Sequence, residues 1–362
     1  MTVRVLMLVD LLGPDSGGAE RVAVQLAQHL PRDRFSVSLC ATRAVEAPWV
    51  DALASRGVRW FALGRRSSAD VRPFMRLGRL LRRERVDVLH AHMFGSNVWG
   101  TVVGRAARVP VVVAHEHTWD FEGQPLRRLL DRRLIGRYAD AFVAVSEADQ
   151  ERMISREGVP AGKVRLMPNG VEPAAGEALD LRAELGLAAD VPLIGTACIL
   201  RPQKALEVLL EALLSVPAAH LVVAGDGPER AALAQRATAL GVAERVHFLG
   251  LRDDVGAVVA GLDVAAISSD FEGKPLFALE AMATGTPLVA TAVGGLPALL
   301  DGCGVLVPPR DPAALGSAVA RLLGDAGLRS SLAARGSERV RSYSIDAVAE
   351  RFGALYTELL AR

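Results

Sequence analysis

Arg201 and Lys204 stand three residues apart after a short apolar run and just ahead of the helical pattern Leu206 to Leu214. An arginine fork beside a lysine point charge at a helix start suits the oxygens of a diphosphate, although two cations in such a loop are otherwise simply solvated. Lysine is scarce in this chain, with only Lys163, Lys204 and Lys274, so two of the three fall in motifs of interest. The second motif is Glu272-Gly273-Lys274-Pro275-Leu276, which runs on to Glu280. Pro275 fits the first helical position, placing Glu272 in a loop that faces a cleft and Glu280 inside the helix. A carboxylate among Phe277, Ala278, Leu279, Ala281 and Met282 is costly to bury without hydroxyl or cationic partners, unless that helix edge meets solvent. Glycine-rich turns follow other apolar runs: Gly13-Pro14-Asp15-Ser16-Gly17-Gly18, Gly225-Asp226-Gly227-Pro228 and Gly294-Gly295. Adjacent glycines let backbone N–H groups curl toward an anion at a helix start, though turn chemistry alone also explains them.

The first of these loops lacks the GxGxxG spacing, and the second apolar run ends in Thr42-Arg43 with no acidic residue for an adenosine ribose. A nicotinamide-dependent dehydrogenase is therefore disfavoured. His90 and His92 close one apolar run, and His115 and His117 close the next. The pairs invite a metal reading, but no third ligand at suitable spacing is evident, so no metal site is expected. A histidine that hydrogen-bonds substrate, or one satisfied by carbonyls, fits better. Cys40, Cys198 and Cys303 lie far apart in apolar surroundings, which points to buried free thiols.

These residues need a frame to hold them. Short Val/Leu/Ile runs alternate with helical patterns: Val3 to Val9, Phe35 to Ala41, Val58 to Leu63, Val86 to His90, Val111 to Ala114 and Ala141 to Val145. A second series comprises Leu193 to Ile199, Leu221 to Ala224, Val246 to Leu249, Val264 to Ile267, Leu288 to Ala290 and Val305 to Val307. Both read as buried parallel strands, so the fold class is α/β with two tandem Rossmann-like doubly wound domains facing a cleft. The Gly/Pro/Asn-rich segment 168–178 is the expected hinge, dividing the chain into 1–172 and 173–344, with the last helix 345–362 free to pack back on the first domain. The 362 residues suffice for two domains, and 51% hydrophobic with 23% charged residues is an ordinary globular composition. No run resembles a signal peptide or membrane span, so a cytoplasmic location is expected. Net charge is +1, yet residues 1–170 hold 26 Lys+Arg against 18 Asp+Glu, giving +8, and the remainder carries −7. The segments 72–85 and 126–138 interleave arginines with apolar residues, a pattern that suits an anionic membrane surface or simply covers a sheet.

Taken together, the motifs resemble those of glycosyltransferase family 4, the retaining group 1 enzymes of the GT-B fold. The resemblance rests on Gly17-Gly18-Ala19-Glu20, Asp87-Val88-Leu89-His90-Ala91-His92, Pro168-Asn169-Gly170-Val171, Arg201/Lys204, Gly225-Asp226-Gly227-Pro228, Glu272 to Glu280 and Gly294-Gly295. It implies that Arg201 and Lys204 hold a donor diphosphate, Glu280 the ribose hydroxyls and Glu272 the hydroxyls of the transferred sugar. His117 matches the active-site histidine and would touch sugar or acceptor. Gly17, Gly18, Gly225, Gly227, Gly273, Lys274, Pro275, Leu276, Gly294 and Gly295 would complete the donor site. Three departures stand out: Ala205 where the family has glycine, Lys274-Pro275 where it has Phe-Gly, and Ala298 where it has glutamate. The activity implied is a hexosyltransferase that needs neither metal nor cofactor, taking a nucleotide-diphosphate sugar to a glycan, lipid-linked or small-molecule acceptor in envelope or exopolysaccharide synthesis. A nucleotide-sugar phosphorylase or epimerase, or a non-catalytic nucleotide-sugar-binding protein, are the alternatives. No nucleic-acid partner is expected.

Overall fold

A computed structural model describes residues 2–13, 16–46, 49–67, 70–117, 124–173 and 178–362. Pro14, Asp15, Thr118 and the stretch 174–177 of the expected hinge lie outside the described residues. The chain divides into two units, residues 1–170 with 345–362, and residues 171–344.

In unit 1 seven strands pair in parallel: β1 (Val3–Val9), β2 (Phe35–Ala41), β3 (Arg59–Ala62), β4 (Val88–His92), β5 (Val111–His115), β6 (Ala141–Ala144) and β7 (Val164–Leu166). Their order is β3-β2-β1-β4-β5-β6-β7. The central strands β1, β4, β5 and β6 bury both faces along most of their length, which is why they read as continuous apolar runs, whereas the edge strand β3 is largely exposed. Strand β7 did not show in the sequence, because three residues with only Val164 buried carry too little pattern. Helices α1 (Gly18–His29), α2 (Arg72–Arg83), α3 (Phe94–Ala106) and α4 (Pro125–Leu130) belong to this unit. Helix α2 covers the sheet with Phe74, Leu77, Leu80 and Leu81 and leaves Met75 exposed. Two close approaches to Val112 and Leu89 make Gly104 of α3 a contact point with the sheet.

Unit 2 repeats the plan with β8 (Leu193–Ala197), β9 (His220–Ala224), β10 (Val246–Gly250), β11 (Val264–Ile267), β12 (Leu288–Thr291) and β13 (Val305–Val307). All six are parallel in the order β10-β9-β8-β11-β12-β13. In each sheet the strand order thus reverses beside its first strand, between β1 and β4 and between β8 and β11. In doubly wound sheets ligands bind beyond the carboxyl ends of the strands at that point. Helices α5 (Leu206–Ala212) and α6 (Leu276–Thr284) follow β8 and β11. The final helix, α7 (Ile345–Leu360), is part of unit 1. Its Phe352 and Tyr356 are fully buried there, and His29 bonds Asp346 at 2.8 Å while Arg34 pairs with Glu350.

Candidate active site

The switch point of unit 2 gathers the residues that matter. A small concavity opens between the ends of β8 and β11, lined among others by Thr196, Cys198, Lys204, Ser268, Ser269 and Glu272. Lys204 reaches it from the short turn Pro202–Lys204, and its Nζ lies 2.6 Å from Glu272 Oε1. Ser269 Oγ donates to the same oxygen at 2.7 Å, and Thr291 Oγ1 fixes Ser269 through its carbonyl at 2.7 Å. Glu272 is 7% exposed. Burial works against the Lys204 ammonium, but Glu272 outweighs it and holds the lysine above its ordinary value. A hydrogen-bonded pair with both partners mostly withdrawn from water keeps two charges ready for a ligand that carries both phosphate and hydroxyl groups.

Arg201 caps this turn, is exposed, and stands close enough for its charge to weigh against that of Lys204. Ala205 sits in the left-handed region at φ 47°, fully buried. That conformation costs an L residue about 1–2 kcal/mol and a glycine nothing, so a glycine would hold this turn with less strain than Ala205 does. Glu280 lies on α6 and is 8% exposed, so the solvent-facing alternative for this carboxylate is wrong. Pro275 is the N-cap of α6 and not its first helical residue; the helix begins at Leu276 because Pro275 is still extended, at ψ 135°. Lys274 is 3% exposed and its ammonium lies 4.7 Å from the centre of the Tyr343 ring. Ala298 is exposed, and its carbonyl accepts from Arg339 at 3.2 Å.

The glycines do structural work that their motifs did not reveal. A Cβ on Gly294, at φ 53°, would stand 1.7 Å from the Glu272 carbonyl oxygen. Gly295 N–H donates to the carbonyls of Glu272 and Gly273, at 3.2 and 3.1 Å, so this pair moulds the Glu272 loop rather than leaving both N–H groups open as an anion nest. Gly225 similarly rests against the Cys198 carbonyl, 1.9 Å from where a Cβ would be, and its N–H donates to Gly250. Gly227 N–H is held by Asp226 Oδ1 at 2.7 Å. In unit 1, Gly17 caps α1 and its N–H is taken by Glu20 Oε2 at 3.0 Å; Gly18 begins the helix.

The histidines differ from expectation. His90, His92 and His115 lie within their strands, which run further than the apolar runs implied, and all are 0–1% exposed. His117 is 6% exposed, with His92 Nδ1 3.0 Å from its Nε2. Burial pushes His117 down to about 3, although Asn169 hydrogen-bonds it and pulls the other way, so it is neutral at ordinary pH. Next to it, burial pushes Glu116 up to about 8 against the pull of Arg127 at 3.0 Å. Arg127 is therefore not a solvated surface cation: its guanidinium also lies 4.2 Å from the centre of the Phe94 ring. Leu126 and Leu129 of α4 are exposed, beside the exposed Arg128, Arg132 and Arg133. Among the described residues no helix is long and apolar enough to cross a membrane.

Family models agree with this architecture. Residues 16–175 match the model described as Glycosyltransferase Family 4, and residues 191–325 match Glycosyl transferases group 1. The D-inositol 3-phosphate glycosyltransferase of Stackebrandtia nassauensis is 30% identical over 76% of this chain and 69% of its own length. The chain belongs to glycosyltransferase family 4. The enzyme of the same name from Mycolicibacterium gilvum is 33% identical over 62% of this chain, which spans only 56% of that relative's length. The crystal structure of Anabaena Alr3699/HepE in complex with UDP-glucose superposes with a TM-score of 0.86 at 23% identity, covering 98% of this chain and 99% of the other. The two tandem units of this family 4 chain thus have the GT-B fold.

Proposed function

We propose that this chain is a retaining glycosyltransferase that moves a hexose from a uridine diphosphate sugar to a hydroxyl of a glycan, lipid-linked or small-molecule acceptor. The observation that carries it is the grouping of Lys204, Glu272 and their serine partners at the switch point of the second unit, with Arg201 on the same turn. Departure of a nucleoside diphosphate develops negative charge, which Arg201 and Lys204 stabilise without a divalent cation. As the diphosphate draws on Lys204, the Glu272 carboxylate becomes available to the hydroxyls of the transferred sugar. Glu280 accepts from the ribose hydroxyls. His117, neutral because it is buried, acts on sugar or acceptor as a hydrogen-bonding group and not as an acid. Uridine as the base rests on the likeness to a protein that holds UDP-glucose.

The test is turnover of a panel of nucleotide sugars against hydroxylated and lipid-linked acceptors, with the product anomer assigned by NMR. Retention is expected, with a rate that added magnesium does not raise. Replacing Arg201 and Lys204 together by Ala should weaken UDP binding by roughly tenfold or more per cation lost. Inversion, a requirement for magnesium, or unaltered UDP affinity in that variant would each overturn the assignment. Turnover with phosphate alone would instead indicate a phosphorylase.

A further inference from the structure

Unit 1 holds a cluster of imidazoles for which donor binding has no use. His90 and His92 stand two apart on β4, so the pleat turns both to one face. The parallel register sets His115 of β5 directly beside His92. The rings pack with centroids 4.3 Å apart for His90 and His92, 5.0 Å for His92 and His115, and 5.2 Å for His90 and His115. Each ring offers one nitrogen to a set whose members all lie within 4.8 Å of one another. Two outer nitrogens are already engaged, His90 Nδ1 with Tyr356 Oη at 2.7 Å and His92 Nδ1 with His117 Nε2 at 3.0 Å. The others, His90 Nε2, His92 Nε2 and both nitrogens of His115, are buried without a hydrogen-bond partner. One such orphan is costly, and here four sit in one buried cluster.

We propose that this pocket is a metal site, in which His90 Nε2, His92 Nε2 and one nitrogen of His115 bind a late first-row divalent cation, zinc foremost. Three neutral imidazoles with no carboxylate in the set favour zinc, copper or nickel over magnesium or calcium. A ligating histidine is normally held through its other nitrogen, and Tyr356 and His117 supply that support to His90 and His92. Glu116, the carboxylate next in sequence, is taken by Arg127 and is not a ligand. Zinc–nitrogen bonds of about 2.0–2.1 Å require the rings to draw together by roughly an ångström and to turn, since His90 and His115 now lie only 6° from parallel. The ion would cross-link β4 and β5 where α7 covers them, its Phe352 ring lying 5.2 Å from His90 and 5.5 Å from His115.

The test uses the full chain without a histidine tag, purified without chelating resin and equilibrated with excess zinc or cobalt before gel filtration. About one equivalent of zinc should remain by elemental analysis, and cobalt should give a visible d–d band. His115→Gln and His92→Gln should each lower the retained metal at least fivefold, whereas His247→Gln should not. Circular dichroism and UDP binding establish that the variants fold; should one fail, the other carries the comparison, and His90→Gln replaces both if needed. Retention below about a tenth of an equivalent by the native chain would overturn the proposal, as would retention unchanged by the β4 and β5 variants.

Discussion

Gly294→Ala isolates the role of backbone fit in shaping the Glu272 loop. The residue is at φ 53°, where an alanine pays about 1–2 kcal/mol in conformational strain. Its methyl would also sit 1.7 Å from the Glu272 carbonyl oxygen and 2.8 Å from the carbonyl carbon, with no flexible side chain to yield. Forcing those backbones apart adds roughly 1–3 kcal/mol, by analogy with overpacking in cores. The sum, about 2–5 kcal/mol, corresponds to a fall of roughly 4–20 °C in the melting temperature of a unit this size. Gly302→Ala is the matched control: φ is 71°, but nothing lies within 4 Å of the added methyl, so only the strain remains. Thermal unfolding followed by calorimetry should therefore separate the two variants by several degrees. Transfer rate should separate them further, because displacing Glu272 also breaks the Gly295 N–H bonds to its loop. Equal melting temperatures and equal transfer rates would refute the reasoning that this glycine exists for Glu272.

Glu280→Gln should weaken free UDP, whereas Glu272→Gln should leave UDP binding intact or tighter, by releasing Lys204, and slow transfer by at least about a hundredfold; equal losses of nucleotide affinity would remove this division of labour. His220 and His247 lie 2.8 Å apart on β9 and β10 and are both lowered, His220 by burial with His247 and Arg245 adding to it, His247 by burial. With folded values below the unfolded one, their contribution is intact above about pH 6.5 and shrinks as pH falls beneath it. Urea unfolding at about pH 7.5 and 5.5 should show a smaller acid loss in His247→Gln, and an unchanged loss would sink the idea. The exposed arginines and leucines of 126–133 should direct the chain to anionic vesicles at low salt, each cation near the surface adding roughly 1 kcal/mol. Sedimentation that does not distinguish anionic from neutral vesicles would leave only a basic surface.

The alternation of buried runs and helical patterns was sufficient to read two doubly wound units, because parallel strands covered on both faces must be continuously apolar. The same reading placed Arg201, Lys204 and Glu272 just after strands and Glu280 in the helix that follows, since turn glycines and a proline mark where strands stop. It missed β7, whose three residues have no periodicity to detect, and it stopped β4 at His90, short of His92, and β5 at Ala114, short of His115, since a polar residue looks like the end of an apolar strand.

What sequence could not carry was register and covering. That His115 stands beside His92 depends on how β4 and β5 pair, and pairing is a property of two segments that no local pattern encodes. That these rings are sealed from water depends on α7, which reaches them from the far end of the chain. The Lys204–Glu272 contact, the burial of Glu280 and the use of Gly294 as a backbone spacer are of the same kind. Residue types and spacing determined which chemistry the chain could perform. Only the tertiary structure decided which groups meet, because burial and contact arise when distant segments exclude water from one another.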